Sequence, residues 1–249
     1  MSEYTIRDVL EMIRESGGPE GLDLSGKDLR GIDLSRDAIQ GELTLVREGA
    51  STAQPDWVSL TGGGINLYRA NLQATFLDGA NLREAFLEGA NLERVILLEA
   101  NLQGAYLGEV NLQEANLREA NLREAILLGA KLQGAYVRMA NLKGANLVEA
   151  NLREAILLEA NLQEANLAGV SLQGAYLGLA NLQEADLRGA NLQRAYLRRA
   201  DLRQADLRWA NLGTTADLAA ARLDGAKINM QTKWPEDFQV PDTVLMVED

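Results

Sequence analysis

Cysteine and histidine are both absent from the 249 residues. Their absence excludes disulfides, thiolate chemistry, zinc sites of the usual kinds and imidazole acid–base work. Without cysteine, the redox compartment is unmarked. Proline is scarce: Pro19, Pro55, Pro235 and Pro241 all lie outside 61–230. A long stretch without proline keeps every backbone donor available for a ladder. Long apolar runs are also missing. The longest are pieces such as Val244 to Val247, far short of the roughly 18 residues a membrane span needs. Met1 to Ile13 carries Glu3, Asp8 and Glu11, so it does not read as a secretory signal. These absences point to a soluble, cytoplasmic protein with no membrane contact.

Charge is unevenly placed. The net charge is −12. Residues 1–60 hold twelve acids and six bases, 61–215 seventeen and fifteen, and 216–249 seven and three. The middle is therefore near neutral and the ends carry most of the acidity. Within it, 84–124 is acidic and 183–209 basic, so the charge is polarised along the chain.

What the chain does have is a fixed period. From Leu67 to Leu212 an aliphatic residue stands at every fifth position; of these thirty, twenty-nine are Leu and one is Val137. Two residues before each, from Leu72 onward, stands Ala, except at Thr75, Val95, Val110 and Val170. The unit reads A-(N/D)-L-x-x, as in Ala115, Asn116, Leu117, then Ala120, Asn121, Leu122. Such a period decides the architecture before any other feature. Five residues advance an α-helix by about 500°, which leaves no apolar stripe. In a straight strand, inward positions recur every two residues. Ala and Leu both stay inside only if the chain turns a corner in each pentapeptide. The short sides then find their hydrogen bonds on the coils above and below. That is a β-solenoid, and the period alone does not choose between three and four sides.

The A-(N/D)-L-x-x run resembles the pentapeptide-repeat proteins over about three-fifths of the chain. The resemblance implies an all-β fold, a right-handed quadrilateral β-helix with one pentapeptide per side and twenty residues per coil. Thirty pentapeptides then make seven and a half coils, a column about 36 Å long. Ordering five residues costs on the order of 5–10 kcal/mol, against about 1.5–3 kcal/mol from a buried Leu. No coil folds alone, and stacking has to supply the difference.

Four segments are expected: a capping helix in 1–21, a first coil with an insertion in 22–60, the repeat column in 61–230, and a cap and tail in 231–249. Thr5 and Asp8 resemble a capping box for a helix over 5–15, with Ile6, Val9, Leu10 and Ile13 on one face. Leu24, Leu29, Leu34 and Ile39 recur at five and suggest the first coil. Residues 37–48 suggest a second helix, and 49–64 a loop. After Leu212 the register slips by one to Leu218, Leu223 and Ile228. The segment Thr232 to Phe238 resembles the closing segment of many pentapeptide-repeat proteins. Trp234 and Phe238 are expected to cover the open end, and Pro235 to stop further strand addition.

Catalysis has little to work with. The carboxylates sit at outward corners, several beside an arginine: Glu84 after Arg83, Glu119 after Arg118, Glu124 after Arg123. They read as solvated charge. The Asn rows, such as Asn81, Asn101 and Asn121, read as corner hydrogen bonding. Gly62 to Gly64 is no phosphate loop, since no Lys-Ser/Thr follows. No enzyme activity, cofactor or metal is expected.

The residue before each Leu does carry information. At positions ending in 1 it is nearly always Asn; at positions ending in 6 it is often large and apolar. With four sides, these fall on two opposite faces. One carries Phe76, Ile96, Asn116, Tyr136, Ile156, Tyr176 and Tyr196, with Leu98 and Leu158 alongside. The other carries Phe86, Tyr106, Ile126 and Leu128, then turns polar. Flat β faces favour such residues for ladder packing, and a contiguous outward apolar stripe also marks a contact surface. Ile96, Leu98, Tyr136, Ile156, Leu158, Tyr176 and Tyr196 form the candidate face. The leading expectation is a non-enzymatic structural or protein-interaction module that binds a protein partner or a second copy, with no direct nucleic-acid binding. The alternative comes from the family, some of whose members are acidic, dimeric DNA mimics that bind type II topoisomerases and protect them from quinolones.

Overall fold

The computed structural model describes residues 4–15, 24–30, 32, 65–213 and 216–248. Every corner of the column is built alike. The amide of Ala130 donates to the carbonyl of Leu127 at 3.0 Å, and that of Ala125 to Leu122 at 3.1 Å. The residue just before each of these Ala positions is left-handed, with φ between 53° and 68° from Arg69 to Trp209. A β-turn with positive φ only at its third residue has the type II pattern. The turn absorbs the odd step between Leu and the next Ala, so both point inward. From Ala85 to Leu212 every inward residue is at most 1 % exposed.

The sides pair between coils. Ile126 forms parallel bridges with Tyr106 below and Asn146 above, and Asn121 does the same with Asn101 and Asn141. Each partner is twenty residues away, and four such ladders run in parallel, so each coil has four sides of one pentapeptide. This is the right-handed, four-sided β-helix. In one pentapeptide, Leu127 N–H donates to Asn146 at 2.7 Å, Gly129 N–H to Val148 at 3.0 Å and Ile126 N–H to Ala105 at 2.9 Å. The Ala amide closes the turn. The remaining amide, two residues past the bridge, is taken by an Asn side chain wherever Asn holds the bridge position. Val148 N–H donates to Asn146 Oδ1 at 3.2 Å, and Gln183 N–H to Asn181 Oδ1 at 3.2 Å. The amides also bond up the column, Asn111 to Asn91 and Asn121 to Asn101, both at 3.0 Å. Asn is there for the backbone.

At the entry end, Leu24, Leu29 and Ile32 are buried. Leu24 N–H donates to Asn66 at 2.8 Å and Asp28 bridges Asn71. The rung partner of Asp28 lies 43 residues on instead of 20. Leu34 and Ile39, the suggested helix over 37–48 and the loop over 49–64 with Gly62 to Gly64 lie outside the described residues. Thr75 stands in an Ala position because its hydroxyl donates to Leu29 at 3.0 Å. The helix α1 spans Ile6–Glu15. Thr5 Oγ1 accepts from Asp8 N–H at 3.3 Å, and Asp8 Oδ2 accepts from Thr5 N–H at 2.6 Å. Val9 is buried, with Leu10 and Met12 packed against the same core; the side chains of Ile6 and Ile13 lie outside the described set.

At the far end the rungs lengthen to 21, as in Asp201 to Arg222, and then to 22 between Asn211 and Lys233. Strand β1 (Lys227–Ile228) pairs in parallel with β2 (Leu245–Met246). Pro235 therefore does not end strand addition: the chain loops past it and Leu245 N–H donates to Ala226 at 2.7 Å. Proline removes only its own donor, and the tail supplies others. Trp234 and Phe238 stack at 5.3 Å between centroids and pack on the core.

In these last coils Asp replaces Asn and holds an arginine two residues on. Arg203 forks onto Asp201 at 2.8 and 2.7 Å, and Arg208 onto Asp206 at 2.9 and 2.6 Å. The Arg203 hydrogen bond holds the Asp201 carboxyl below its ordinary value. Burial alone would raise Asp206, but the bonds and charge of Arg208 outweigh it, and that carboxyl is also lowered.

Two outcomes follow from this packing. Leu127→Asp places an unpaired charge in a sealed core and should destabilise the protein by more than about 4 kcal/mol. A folded, soluble variant with an unchanged denaturation midpoint would refute the inward assignment. For Asp201 and Asp206, folded values lie below the about 3.9 of an unfolded Asp. Their contribution is complete above that value and is lost as pH falls through the folded values. The melting temperature should thus hold between neutral pH and about pH 5 and drop below about pH 4. Replacing Arg203 and Arg208 by Gln should lower the melting temperature at neutral pH and shrink that drop, because the folded carboxyls then titrate closer to the unfolded value.

Candidate interaction surface

Phe76, Ile96, Asn116, Tyr136, Ile156, Tyr176 and Tyr196 form consecutive rungs of one ladder. Tyr136 is 48 % exposed, Tyr176 42 % and Tyr196 47 %. Ile96 and Ile156 are half-buried by their neighbours, as are Leu98 and Leu158 in the adjoining corner row. Leu158 Cδ2 leans along that row to 3.1 Å from where a Cβ on Gly178 would stand. Glycine at 178 makes room for it. The Tyr176 and Tyr196 rings stack at 4.7 Å and 6°. The rungs next to Tyr136 are Asn116 and Ile156, so ring stacking does not account for Tyr136.

Two residues complete this face that the every-tenth-residue pattern did not reveal. Met139 and Leu179 are 47 % and 49 % exposed and occupy the third residue of the turns that follow Tyr136 and Tyr176. Their φ values are 58° and 60°, a conformation disfavoured for side chains of this kind. The legible signal was an apolar residue at a site filled mainly by Glu, Gly or Arg, with Ala74, Gln204 and Trp209 as the other exceptions from Arg69 to Trp209.

On the opposite face Phe86, Tyr106 and Ile126 form a shorter apolar run, with Phe86 and Tyr106 stacked at 4.9 Å. It ends in Asn146, Asn166, Asp186 and Asp206. The other two faces are almost wholly Asn.

In the middle coils charges pair mostly between coils, whereas at the ends they pair mostly within a pentapeptide, as Arg188 does with Asp186. Arg94 meets Glu114 at 2.8 Å, Arg138 meets Glu159 at 3.1 Å and Lys143 meets Glu164 at 3.0 Å. Around Tyr196, by contrast, Arg194, Arg198 and Arg199 make no ion pair among the described residues. None of the described residues forms a His, Cys, Asp and Glu group able to hold a metal ion. No described helix is long and apolar enough to cross a membrane. A shallow depression beside α1, lined by Tyr4, Asp8, Glu11, Met12 and Glu15, has no converging donors for a substrate.

The comparisons with known proteins agree with this geometry. The family model for pentapeptide repeats matches residues 64–97, 100–138, 140–174 and 180–215 in 8 copies. Among solved structures, HetL, a pentapeptide repeat protein involved in heterocyst differentiation regulation from the cyanobacterium Nostoc sp. strain PCC 7120, is 31% identical. That match covers 90% of this chain and 97% of HetL with a TM-score of 0.40. QnrB1, a plasmid-mediated fluoroquinolone resistance protein, is 20% identical over 64% of this chain and 82% of its own, with a TM-score of 0.56. A pentapeptide repeat protein from the Arabidopsis thaliana thylakoid lumen is 34% identical over 39% of this chain and 68% of its own, with a TM-score of 0.39. No curated protein sequence matches. With the family model covering more than half of the residues and four ladders at a twenty-residue register, the chain belongs to the pentapeptide-repeat family.

Proposed function

We propose that this protein is a non-enzymatic interaction module whose contact surface is the face bearing Tyr136, Tyr176 and Tyr196, with Met139 and Leu179 at its edge. One observation carries the reading: these residues work against the fold that holds them. An Asn at the bridge position accepts the amide two residues on, as Asn116 does for Arg118 at 3.3 Å. Phe and Ile have no side-chain acceptor and the Tyr hydroxyl lies too far out along the ring to reach, so each gives up that bond. A left-handed Leu or Met carries roughly the 1–2 kcal/mol of strain that Glu and Arg carry at other corners, and Met139 and Leu179 differ from those in exposing an apolar side chain. Residues that weaken a scaffold in a contiguous exposed patch point to a contact, and tyrosine suits such contacts.

The face is flat, rigid and without a cleft, which fits a protein partner better than a small molecule. The cofactor-free, cytoplasmic assignment made from composition is retained as part of the proposal, together with the four-segment division of the chain. Trp234 and Phe238 are assigned to closing the column.

Topoisomerase mimicry is the weaker reading. Duplex DNA carries one charge per about 1.7 Å, which is about 17 over the roughly 29 Å between the Phe76 and Tyr196 rungs. The stretch 61–215 holds seventeen acids but also fifteen bases, a net of −2. The likeness to QnrB1 at 20% identity extends to the fold.

Three measurements address this. Immobilised protein should retain a partner from extracts of its native cells, and Ile96→Lys with Ile156→Lys should abolish retention without altering the melt. Equal retention would remove the face from consideration. Met139→Gly with Leu179→Gly should raise the melting temperature, by about 2–4 °C, while weakening retention. A lower melting temperature would show that the two side chains serve the fold. Purified protein should leave gyrase supercoiling unchanged; a dose-dependent effect would reinstate mimicry.

A further inference from the structure

Resting on that reading of the face, we infer that its occupant is a second copy of this chain, packed with the two columns antiparallel and related by a two-fold axis at Tyr136. The face is self-complementary about that point. Seven rungs run from Phe76 to Tyr196 with Tyr136 in the middle. Reversal places Phe76 opposite Tyr196 and Ile96 opposite Tyr176, so large apolar groups meet at these two levels, Asn116 falls opposite Ile156, and Tyr136 meets its own copy. A two-fold contact requires this reciprocity.

The corner rows on either side carry the charge. Around the first three rungs stand five acids, Asp78, Glu93, Glu99, Glu114 and Glu119, against Arg94 and Arg118. Around the last three stand four bases, Arg153, Arg194, Arg198 and Arg199, against Glu154 and Glu159. Antiparallel packing sets the acidic half on the basic half and brings Asp78 opposite Arg198 and Arg199. It also sets Leu98 opposite Leu179, so the corner row is matched in apolar character as well. A parallel two-fold pairing would bring Arg194 of each copy onto Arg198 and Arg199 of the other, six guanidiniums at one level. Like charges in such contact strongly disfavour that arrangement. The charge pattern therefore selects the direction.

Size is sufficient. Six coil spacings give about 29 Å, and one side with both corner rows is roughly 20 Å wide. The contact buries about 600 Å² on each copy, about 1,200 Å² in all, above the about 1,000 Å² a specific interface needs. The twenty-residue register is unbroken along these rungs, so the surfaces are straight enough to lie together.

Because the chain has no cysteine, single cysteines report the register directly. The test uses purified full-length protein carrying Phe76→Cys, Tyr136→Cys or Tyr196→Cys, all at exposed sites. Tyr136→Cys should oxidise to a covalent dimer. Mixed Phe76→Cys and Tyr196→Cys proteins should cross-link to each other in preference to themselves. Light scattering on the wild type should give twice the monomer mass. Arg198→Glu with Arg199→Glu should weaken the dimer about tenfold or more, with an unchanged melt. Preferential Phe76→Cys self-linking would overturn the antiparallel direction. A wild type that stays monomeric at its highest attainable concentration would overturn the second copy, leaving the partner-binding face to be judged by the retention experiment. A dimer that links through Leu245→Cys and not through Tyr136→Cys would overturn both this inference and the choice of face.

Discussion

The left-handed third residue of each corner is the constraint on which the column depends. It lets residues separated by an odd step share one interior, and it recurs at every fifth residue from Arg69 to Trp209. Most of these sites hold Glu or Arg instead of glycine, each at roughly 1–2 kcal/mol of strain. The strain is held by the coil above: Glu119 N–H donates to Arg138 and Glu124 N–H to Lys143, both at 3.0 Å. A corner is stable only when its neighbour exists, which makes stacking cooperative.

Inside the column, identity is nearly uniform because the space is. Leu and Ala fill the same two positions on every side, and the substitutions have local reasons where the structure provides them. Thr75 serves Leu29 with its hydroxyl. Outside, the positions divide between those that satisfy the backbone and those that do not. Asn rows accept the spare amide and bond up the column. The Phe–Tyr–Ile face relinquishes both, and its edge exposes apolar Met139 and Leu179 where most corners carry Glu, Gly or Arg. That contrast separates a surface kept for contact from a surface kept for stability.

Charge follows the same logic. The column is near neutral because its seventeen acids are nearly matched by fifteen bases, some of them paired on successive coils, as Arg94 is with Glu114. The placement is what informs: Arg194, Arg198 and Arg199 cluster beside Tyr196, and acids dominate the corners near Phe76 and Ile96. Acidity at the two ends of the chain contributes most of the −12.

The inward Leu and Ala, the corner in every pentapeptide, the capped helix at Thr5 and the slip after Leu212 were all legible in the sequence. Each is a local consequence of spacing, which a one-dimensional pattern records. The period could not state the number of sides, because a corner every five residues fits three sides as well as four; the rung register of twenty decides that. It also could not pair Arg138 with Glu159 or place Leu158 over Gly178, since those neighbours are twenty or more residues apart and meet only after the coil closes. Pro235 shows the same limit, for the strand at Leu245 reaches β1 by a path that no local rule describes. Met139 and Leu179 were readable as residues but not as part of the face. Only the closed coil brings the corner rows beside the Tyr136 and Tyr176 rungs, because adjacency across a β-helix is set by hydrogen bonds between coils and not by distance along the chain.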